Sequence, residues 1–170
     1  MDARIRTAGA ADARALHALI QSAYRGDSAR AGWTHEADMI AGERVSVTEV
    51  AAIIADPKQA FLVTESDGAL GGCVLVADRG EHVGYFGLLA VSPRLQAEGL
   101  GKRLIAAAEA HAAARYGATR MEMTVIAGRH ELIAYYERRG YLLTGETRPL
   151  PVVTEGRLYL RVMVKPLARA

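Results

Sequence analysis

Two glycines stand where an apolar run gives way to a helical pattern, an arrangement typical of phosphate binding. Gly99 and Gly101 follow the apolar residues 85–91 and precede apolar side chains that recur at helical spacing from Leu104 onward. The start of a helix exposes backbone N–H groups without intrahelical partners, and the positive end of its dipole attracts anions. Glycine lets a phosphate approach the backbone closely. The sequence therefore predicts a phosphate site at this helix start, with Lys102 as an added cation.

The spacing of the glycines excludes two common nucleotide-binding loops. A dinucleotide fingerprint has three glycines as G-x-G-x-x-G, and a Walker loop ends in G-K-S/T, whereas Gly101 is followed by Lys102 and Arg103. In a simpler alternative, the glycines form a turn that only starts a helix. The loop alone does not decide between this turn and a phosphate site.

The composition predicts one globular domain over residues 1–170. The chain is 51% hydrophobic and 24% charged, and its net charge of +2 comes from scattered basic residues, which gives no nucleic-acid footprint. Cys73 is the only cysteine, so an internal disulfide is excluded, no zinc pattern is recognised, and the thiol is expected in the core. No apolar run approaches the roughly 20 residues that a membrane span needs, and no signal peptide is recognised. We therefore expect a cytoplasmic protein.

Periodicity and turn signals predict the element order β-α-α-β-β-β-α-β-α-β-β. The first half comprises an edge strand at 4–7, a helix with Asp12 as N-cap, a helix opened by the capping box of Ser46 and Glu49 and stopped at Asp56-Pro57, and a hairpin over 61–77 that turns at Asp67-Gly68. The second half comprises a strand at 83–91, the helix ended by Gly117, a strand at 119–125, a helix at 131–139, and strands at 141–144 and 157–164. Residues 26–44 are expected to form a long loop or a broken helix, and Pro149 and Pro151 mark a turn.

The glycine loop resembles motif A of the GNAT superfamily of N-acetyltransferases. That motif has the form Q/R-x-x-G-x-G/A and is met by Gln96, Gly99 and Gly101, after a strand that ends at Val91. The element order is also that of the superfamily, so the resemblance covers nearly the whole chain. It implies a mixed α/β (α+β) fold with a mostly antiparallel central sheet of about seven strands, splayed between the fourth and fifth strands and flanked by about four helices.

A later segment is similar to motif B of the same superfamily, which commonly reads N-x-x-A-x-x-x-Y-x-x-x-G-F/Y. Tyr136, Gly140 and Tyr141 match this pattern. Arg129 stands where asparagine is usual, and Leu132 where alanine is usual. Any contact that needs the asparagine amide is therefore not expected here, whereas the tyrosine keeps its position.

The resemblance implies acetyl-CoA as co-substrate, no metal, and a set of site residues. The pyrophosphate would bind backbone N–H groups of Gln96, Ala97, Glu98, Gly99, Leu100, Gly101 and Lys102. A bulge on the fourth strand would present the backbone of Leu89, Ala90 and Val91 to pantetheine and the thioester. Tyr136 would donate a proton to the departing thiolate. A purely structural role in the core is the alternative for Tyr136, and its neighbour Tyr135 is expected to contribute little.

Together these features predict an enzyme that moves an acetyl group from acetyl-CoA to a primary amine of a small molecule or peptide, by direct attack in a ternary complex. A non-catalytic acyl-CoA-binding or regulatory module on the same fold is the alternative. A phosphate-binding domain unrelated to CoA would not carry the motif B match. The expected partner is the amine acceptor, without nucleic acid or membrane, and a homodimer is left open.

The sequence leaves the general base open. An alkyl ammonium needs a proton acceptor, directly or through water, and the candidates are His35, Glu36, Glu81, His82, Tyr85, Glu122 and a chain of waters. Trp33 precedes two of these candidates in the long loop. An aromatic side chain beside polar groups suits acceptor binding, although a lone tryptophan also caps a core.

Overall fold

Seven strands and four helices are found in the described part of the chain, which comprises residues 4–24, 45–149 and 159–168 of a computed structural model. The strands are β1 (Arg4–Thr7), β2 (Gln59–Ser66), β3 (Ala69–Asp78), β4 (Val83–Val91), β5 (Arg120–Ile126), β6 (Leu142–Pro149) and β7 (Tyr159–Pro166). The helices are α1 (Ala13–Tyr24), α2 (Val47–Ala55), α3 (Leu100–Tyr116) and α4 (His130–Glu137). Short 3-10 turns, Ala10–Asp12 and Pro93–Glu98, precede α1 and α3.

The seven strands form one sheet in the order β1-β2-β3-β4-β5-β7-β6. Neighbouring strands run antiparallel except for β4 and β5, which are parallel and connected through α3. This mixed, mostly antiparallel sheet with flanking helices confirms the predicted fold class. Among the helices described, none is both long and apolar enough to cross a membrane.

Each face of the sheet carries its own hydrophobic core. On one face, α3 packs through Leu104 and α4 through Ile133. On the other face, α1 packs through Leu16, with α2 beside it. Successive side chains of a strand point to opposite faces, so β2 contributes Leu62 to the first core and Val63 to the second. We call these the α3/α4 face and the α1/α2 face.

The helix boundaries at α2 and α3 follow local sequence signals. The N–H of Glu49 donates to Oγ of Ser46 at 3.1 Å, and the N–H of Ser46 donates to Oε1 of Glu49 at 3.4 Å. The predicted capping box is therefore confirmed. Gly117 ends α3 in the left-handed conformation, with a φ of +63° that glycine adopts without strain.

The start of α1 differs from the prediction that Asp12 is its N-cap. A 3-10 turn precedes the helix, Gly9 occupies the N-cap position of that turn, and the Gly9 N–H donates to Asp12 at 2.8 Å. Arg6 of β1 donates to the two carboxylate oxygens of Asp12 at 2.8 and 3.0 Å. These Arg6 hydrogen bonds are the main reason why the pKa of Asp12 is lowered. Asp12 thus joins β1 to the turn that leads into α1.

The edge strand β6 is longer than predicted. Its pairing with β7 is interrupted between Leu143 and Thr147, where Gly145 takes a φ of +87°. Pro149 ends the strand instead of lying in a turn, which an edge strand tolerates because its outer side forms no ladder. The remaining helix and strand boundaries differ from the predicted ones by at most about two residues. Four residues named in the sequence predictions lie outside the described part of the chain: Trp33, His35, Glu36 and Pro151.

Candidate active site

β4 and β5 separate along most of their length. Their parallel pairing covers three residue pairs and ends at Tyr85 and Glu122. β4 continues to Val91 and β5 to Ile126, and no further pair joins these two strands. The predicted splay between the fourth and fifth strands is therefore confirmed. We call the resulting opening in the middle of the sheet the gap.

A bulge on β4 borders the gap. Cys73 and Leu75 of β3 lie opposite Ala90 and Gly87, so two residues of β4 face a single residue of β3 between these pairs. Leu88, inside the bulge, has a φ of +46°, which is uncommon for a residue with a side chain. The bulge that the resemblance implied on the fourth strand is present.

The extra residue reverses the alternation of side chains in the second half of β4. Before the bulge, Phe86 belongs to the core of the α3/α4 face. After the bulge, Leu89 and Val91 pack on that same face, whereas Leu88 and Ala90 pack on the α1/α2 face. An unbroken strand would put Phe86, Leu88 and Ala90 on one face. Leu89 and Val91 are thereby directed to the side on which α3 packs.

The glycine loop forms the start of α3 on this side. Gly99 is the N-cap, with a φ of +75° and no side-chain cap. A side chain at Gly101 would place its Cβ 3.4 Å from the hydroxyl oxygen of Tyr135 and 3.9 Å from Val91. Lys102 is exposed. The predicted phosphate site therefore has its helix start, a glycine in the left-handed conformation and an exposed lysine within four residues of one another. The structure does not describe three side chains of this loop: Gln96, Ala97 and Glu98.

Tyr136 is a buried residue beside the gap. Only 6% of its surface is exposed, and its ring lies 5.9, 5.3 and 6.2 Å from those of Phe86, Tyr135 and Tyr141. Phe86 directly follows Tyr85, the last residue of β4 that pairs with β5, so Tyr136 lies on the α3/α4 face close to where these two strands separate. Tyr136 is therefore packed in the core, and its role as a proton donor stays a prediction.

Tyr141 anchors this aromatic cluster. Its hydroxyl donates to Oε2 of Glu109 at 2.9 Å, and Lys165 donates to Oε1 of the same carboxylate at 3.0 Å. Burial raises the pKa of Tyr141, and the negative charge of Glu109 raises it further. The hydroxyl consequently stays protonated and joins the segment between α4 and β6 to α3 and, through the Glu109 carboxylate, to β7. This contact fixes one of the rings against which Tyr136 packs.

Tyr135 occupies a position that the sequence did not predict. It was expected to contribute little, yet its hydroxyl lies at Gly101, in the first turn of α3. The guanidinium carbon of Arg139 lies 3.9 Å from the centroid of the Tyr135 ring, and Nη1 of Arg139 donates to the Tyr135 carbonyl oxygen at 3.2 Å. Spacing to Gly140 singled out Tyr136. Spacing within one helix does not show which tyrosine reaches a neighbouring helix.

Tyr85 and Thr124 bridge the gap on the α1/α2 face. The hydroxyl oxygen of Tyr85 lies 3.4 Å from Oγ1 of Thr124, which joins β4 to β5. The Tyr85 ring covers Gly87, where a Cβ would lie 3.0 Å from the nearest ring carbon. The guanidinium carbon of Arg79 lies 4.3 Å from the centroid of the same ring. Glycine at position 87 therefore allows the tyrosine ring to lie along the strand toward the gap.

An ion pair extends this polar surface toward β6. Nη1 of Arg148 lies 2.7 Å from Oε1 of Glu122, whose side chain is 15% exposed, and Nε of Arg148 lies 3.2 Å from Glu146. Glu122 and Thr124 share a face because they are two residues apart on β5. Alternation indicated that relation, but the sheet order was needed to bring Arg148 to it. We call the following residues the polar row: Tyr85, Glu122, Thr124 and Arg148.

The candidate bases differ in their distance from the gap. Tyr85 and Glu122 border it directly. Glu81 and His82 lie in the turn before β4, where Nδ1 of His82 is 3.1 Å from the carbonyl oxygen of Gly117 at the C-terminal end of α3. His82 lies three residues before Tyr85 at the edge of the gap, a separation of about 10 Å at the rise of a strand. The position of Glu81 and His82 argues against a role in proton transfer.

Arg129 replaces the usual motif B asparagine with a buried guanidinium. It is the N-cap residue of α4, and its carbonyl oxygen accepts the N–H groups of Leu132 and Ile133 at 3.1 and 3.0 Å. Its Nε donates to Glu131 at 2.8 Å, and this hydrogen bond is the main reason why the pKa of Glu131 is lowered. Arg129 thus has a structural function at the start of α4.

A family model covers most of the elements that form the gap. The model, described as the Acetyltransferase (GNAT) family, matches residues 15–141. The chain belongs to the GNAT acetyltransferase family. This GNAT protein is thus an N-acetyltransferase by class, and acetyl-CoA is the acyl donor of its family, as the resemblance implied. No curated protein sequence gives a significant match.

Solved structures share the fold of this GNAT protein. The ribosomal-protein-S18-alanine N-acetyltransferase of Escherichia coli has a TM-score of 0.75 and 18% identity, over 99% of this chain and 96% of that one. The putative acetyltransferase yncA of Salmonella typhimurium, solved with acetyl-CoA, has a TM-score of 0.73 and 21% identity, over 100% of this chain and 96% of that one. An acetyltransferase of the GNAT family from Streptococcus pneumoniae has a TM-score of 0.71 and 19% sequence identity, over 98% of this chain and 100% of that one. At these identities the likeness establishes the fold.

Proposed function

We propose that this GNAT protein moves the acetyl group of acetyl-CoA directly to a primary amine of a small molecule or peptide while both substrates are bound. The gap between β4 and β5 carries this proposal, since the start of α3 lies on one face and the polar row on the other. Two substrates that enter from opposite faces can meet there without displacing each other. Acetyl-CoA supplies a thioester whose carbonyl carbon is open to attack by an amine.

The donor is assigned to the α3/α4 face. Backbone N–H groups of residues 96–102 would bind the pyrophosphate, because a helix start attracts anions. Gly101 fits such a ligand, since a side chain longer than a methyl group would extend into the space beside Tyr135 and Val91. The strand backbone just beyond the bulge would hold pantetheine and the thioester, at Leu89, Ala90 and Val91.

The proton for the sulfur is assigned to Tyr136. The products are an amide and the CoA thiol, so one proton must leave the amine and one must reach the sulfur. Tyr136 lies next to Phe86 on the donor face, close to where the strands separate. Packing against Tyr141 holds the Tyr136 ring in place, and a positioned phenol is a suitable proton donor.

The proton from the amine is assigned to water bound at the polar row. Tyr85 and Glu122 border the gap on the acceptor face. Glu122 is held by Arg148 at 2.7 Å, so protonating this carboxylate would weaken the ion pair. Water that contacts Tyr85 and Thr124 can pass the proton to solvent without that loss.

The experiment measures donor binding and turnover separately. We expect millimolar acetyl-CoA to raise the melting temperature, and at least one primary amine among polyamines, amino acids, aminoglycosides and peptides with free N-termini to stimulate CoA release above hydrolysis. Binding without release by any amine would make the chain a non-catalytic acyl-CoA-binding module. An unchanged melting temperature, with a control GNAT enzyme responding, would remove the donor assignment.

A further inference from the structure

We propose that Tyr135 and Arg139 form a second half of the CoA pyrophosphate site, opposite the glycine loop. The Tyr135 hydroxyl donates to a pyrophosphate oxygen, and the guanidinium of Arg139, stacked on the ring, adds positive charge. This inference rests on the proposed function, because it needs CoA at the start of α3. It assigns a binding contact to the α4 segment that neither motif identifies.

The position of the Tyr135 hydroxyl is the first observation. Its oxygen lies 3.4 Å from where a Cβ of Gly101 would be. Gly101 is the second residue of α3, so its N–H is one of the first-turn groups that have no intrahelical acceptor. An oxygen bound by those N–H groups is therefore within reach of the phenol. A hydroxyl can donate to phosphate oxygens, which accept only.

The arrangement of Arg139 is the second observation. Its guanidinium carbon is 3.9 Å from the Tyr135 ring centroid, and Nη1 donates to the Tyr135 carbonyl oxygen. Its Nε is buried and has no hydrogen-bond acceptor among the residues described, and no carboxylate of those residues pairs with the side chain. The charge is thus oriented by a ring and a carbonyl oxygen, and it has no anionic partner in the part of the chain that the structure describes. A cation held in this way strengthens the attraction of the site for phosphate.

The neighbouring tyrosine provides the contrast that makes the assignment specific. Tyr136 is buried among Phe86 and Tyr141, whereas Tyr135 is only half-buried and meets the first turn of α3. Consecutive residues of a helix point in directions about 100° apart, so both cannot face one partner. The two tyrosines therefore have separate functions, with Tyr135 at the nucleotide half of CoA and Tyr136 at the sulfur.

The test compares ligands that differ in their phosphates. Calorimetry with CoA and 3′-dephospho-CoA, which both contain the pyrophosphate, should show about a tenfold higher Kd in Tyr135→Phe for both ligands. The kcat/KM for S-acetylpantetheine, which lacks the pyrophosphate, should change by less than about twofold. Tyr116→Phe, at the other end of α3, is the matched control and should leave all three values unchanged.

Arg139 is tested through charge. Arg139→Gln should raise the Kd for both CoA ligands and make that Kd less dependent on salt, whereas Arg139→Lys, which retains the charge, should keep most of the wild-type salt dependence. Equal salt dependence in Arg139→Gln and wild type would remove Arg139 from the site.

Each remaining outcome has one meaning. Equal CoA affinity in Tyr135→Phe and wild type would overturn the inference, and so would an equal loss with S-acetylpantetheine, which would indicate a displaced helix. A loss with CoA but not with 3′-dephospho-CoA would place the residue at the 3′-phosphate instead. Failure of wild-type protein to bind CoA would refute the proposed function itself, which distinguishes the two failures.

Discussion

The thiol of Cys73 donates a hydrogen bond to the carbonyl oxygen of Leu88 at 3.5 Å, beside the bulge of β4. Cys73 is fully buried, which confirms its predicted place in the core. Burial raises the pKa of this thiol to about 12. Its side chain thus packs as a small apolar group and makes one weak polar contact with the strand that borders the gap.

Cys73 is expected to resist thiol reagents while the protein is folded. Only the thiolate reacts, and a thiol with this pKa is almost entirely protonated at pH 8. Labelling with a disulfide reagent should therefore be slow in native buffer and fast in urea. The Cys73→Ala variant supplies the blank. Rapid labelling of native protein would show that the thiol is accessible.

Gly101→Glu is expected to abolish most of the affinity for acetyl-CoA while the protein stays folded. The substitution introduces a negative charge at a helix start and a side chain beside Tyr135. We expect the Kd to rise at least about a hundredfold, measured by calorimetry. Gly101→Ala is the control, because its Cβ makes an ordinary contact at 3.4 Å and adds no charge. Equal affinity in a folded Gly101→Glu protein would exclude the loop from the site.

Tyr136→Phe is expected to lower turnover by about 10² with little change in stability. The ring keeps its contacts with Phe86 and Tyr141, and only the hydroxyl is lost. Turnover at saturating acetyl-CoA and the alkaline limb of its pH profile are the measurements. Tyr135→Phe should instead change the Kd for acetyl-CoA and leave saturated turnover nearly unchanged. If the Tyr136→Phe profile matches wild type, this tyrosine is core packing alone.

The stability of the protein is expected to fall in acid partly through Asp12. Arg6 lowers the pKa of Asp12 below its unfolded value, so the carboxylate stabilises the fold above a pH of about 3.9. This contribution is lost as the pH falls through the folded-state pKa. Because the Arg6 side chain is 36% exposed, we expect only about 0.5–1 kcal/mol.

Urea unfolding of wild type and Asp12→Asn between pH 7 and pH 3 measures this contribution. The free-energy difference between the two proteins should be largest at neutral pH and shrink toward the acid end. Asp67→Asn, in the exposed hairpin turn between β2 and β3, is the matched carboxylate-to-amide control. A difference that is constant with pH would mean that the carboxylate charge is not what stabilises the fold.

Most helices and strands could be predicted because their signals are local. The capping box at Ser46, the Asp67-Gly68 turn and the end of α3 at Gly117 each depend on a few adjacent residues. The prediction of Asp12 as an N-cap was wrong, since Asp12 lies inside a 3-10 turn and its carboxylate accepts from Arg6 of another element. The splay was predicted only through family resemblance, because it depends on the pairing of two strands that α3 separates.

The arrangement of the candidate site could be predicted only in part. Motif spacing singled out Gly101 and Tyr136, which lie on the same face of the sheet. The contact of Tyr135 with α3 and that of Arg148 with Glu122 across β7 depend on tertiary packing. No periodicity within one segment reports such contacts.

The bulge of β4 also determines which changes of length this strand can accept. The extra residue shifts the sequence by one position, so that even-numbered residues face α3 before the bulge and odd-numbered residues face it after the bulge. Deleting Leu88 would remove the extra residue and leave a regular strand in which Leu89 and Val91 still face α3. A one-residue deletion that removes no polar side chain would thus keep the donor loop on its side of the sheet but abolish the irregular backbone at which the thioester is proposed to bind, whereas substitutions at the same position alter only local packing.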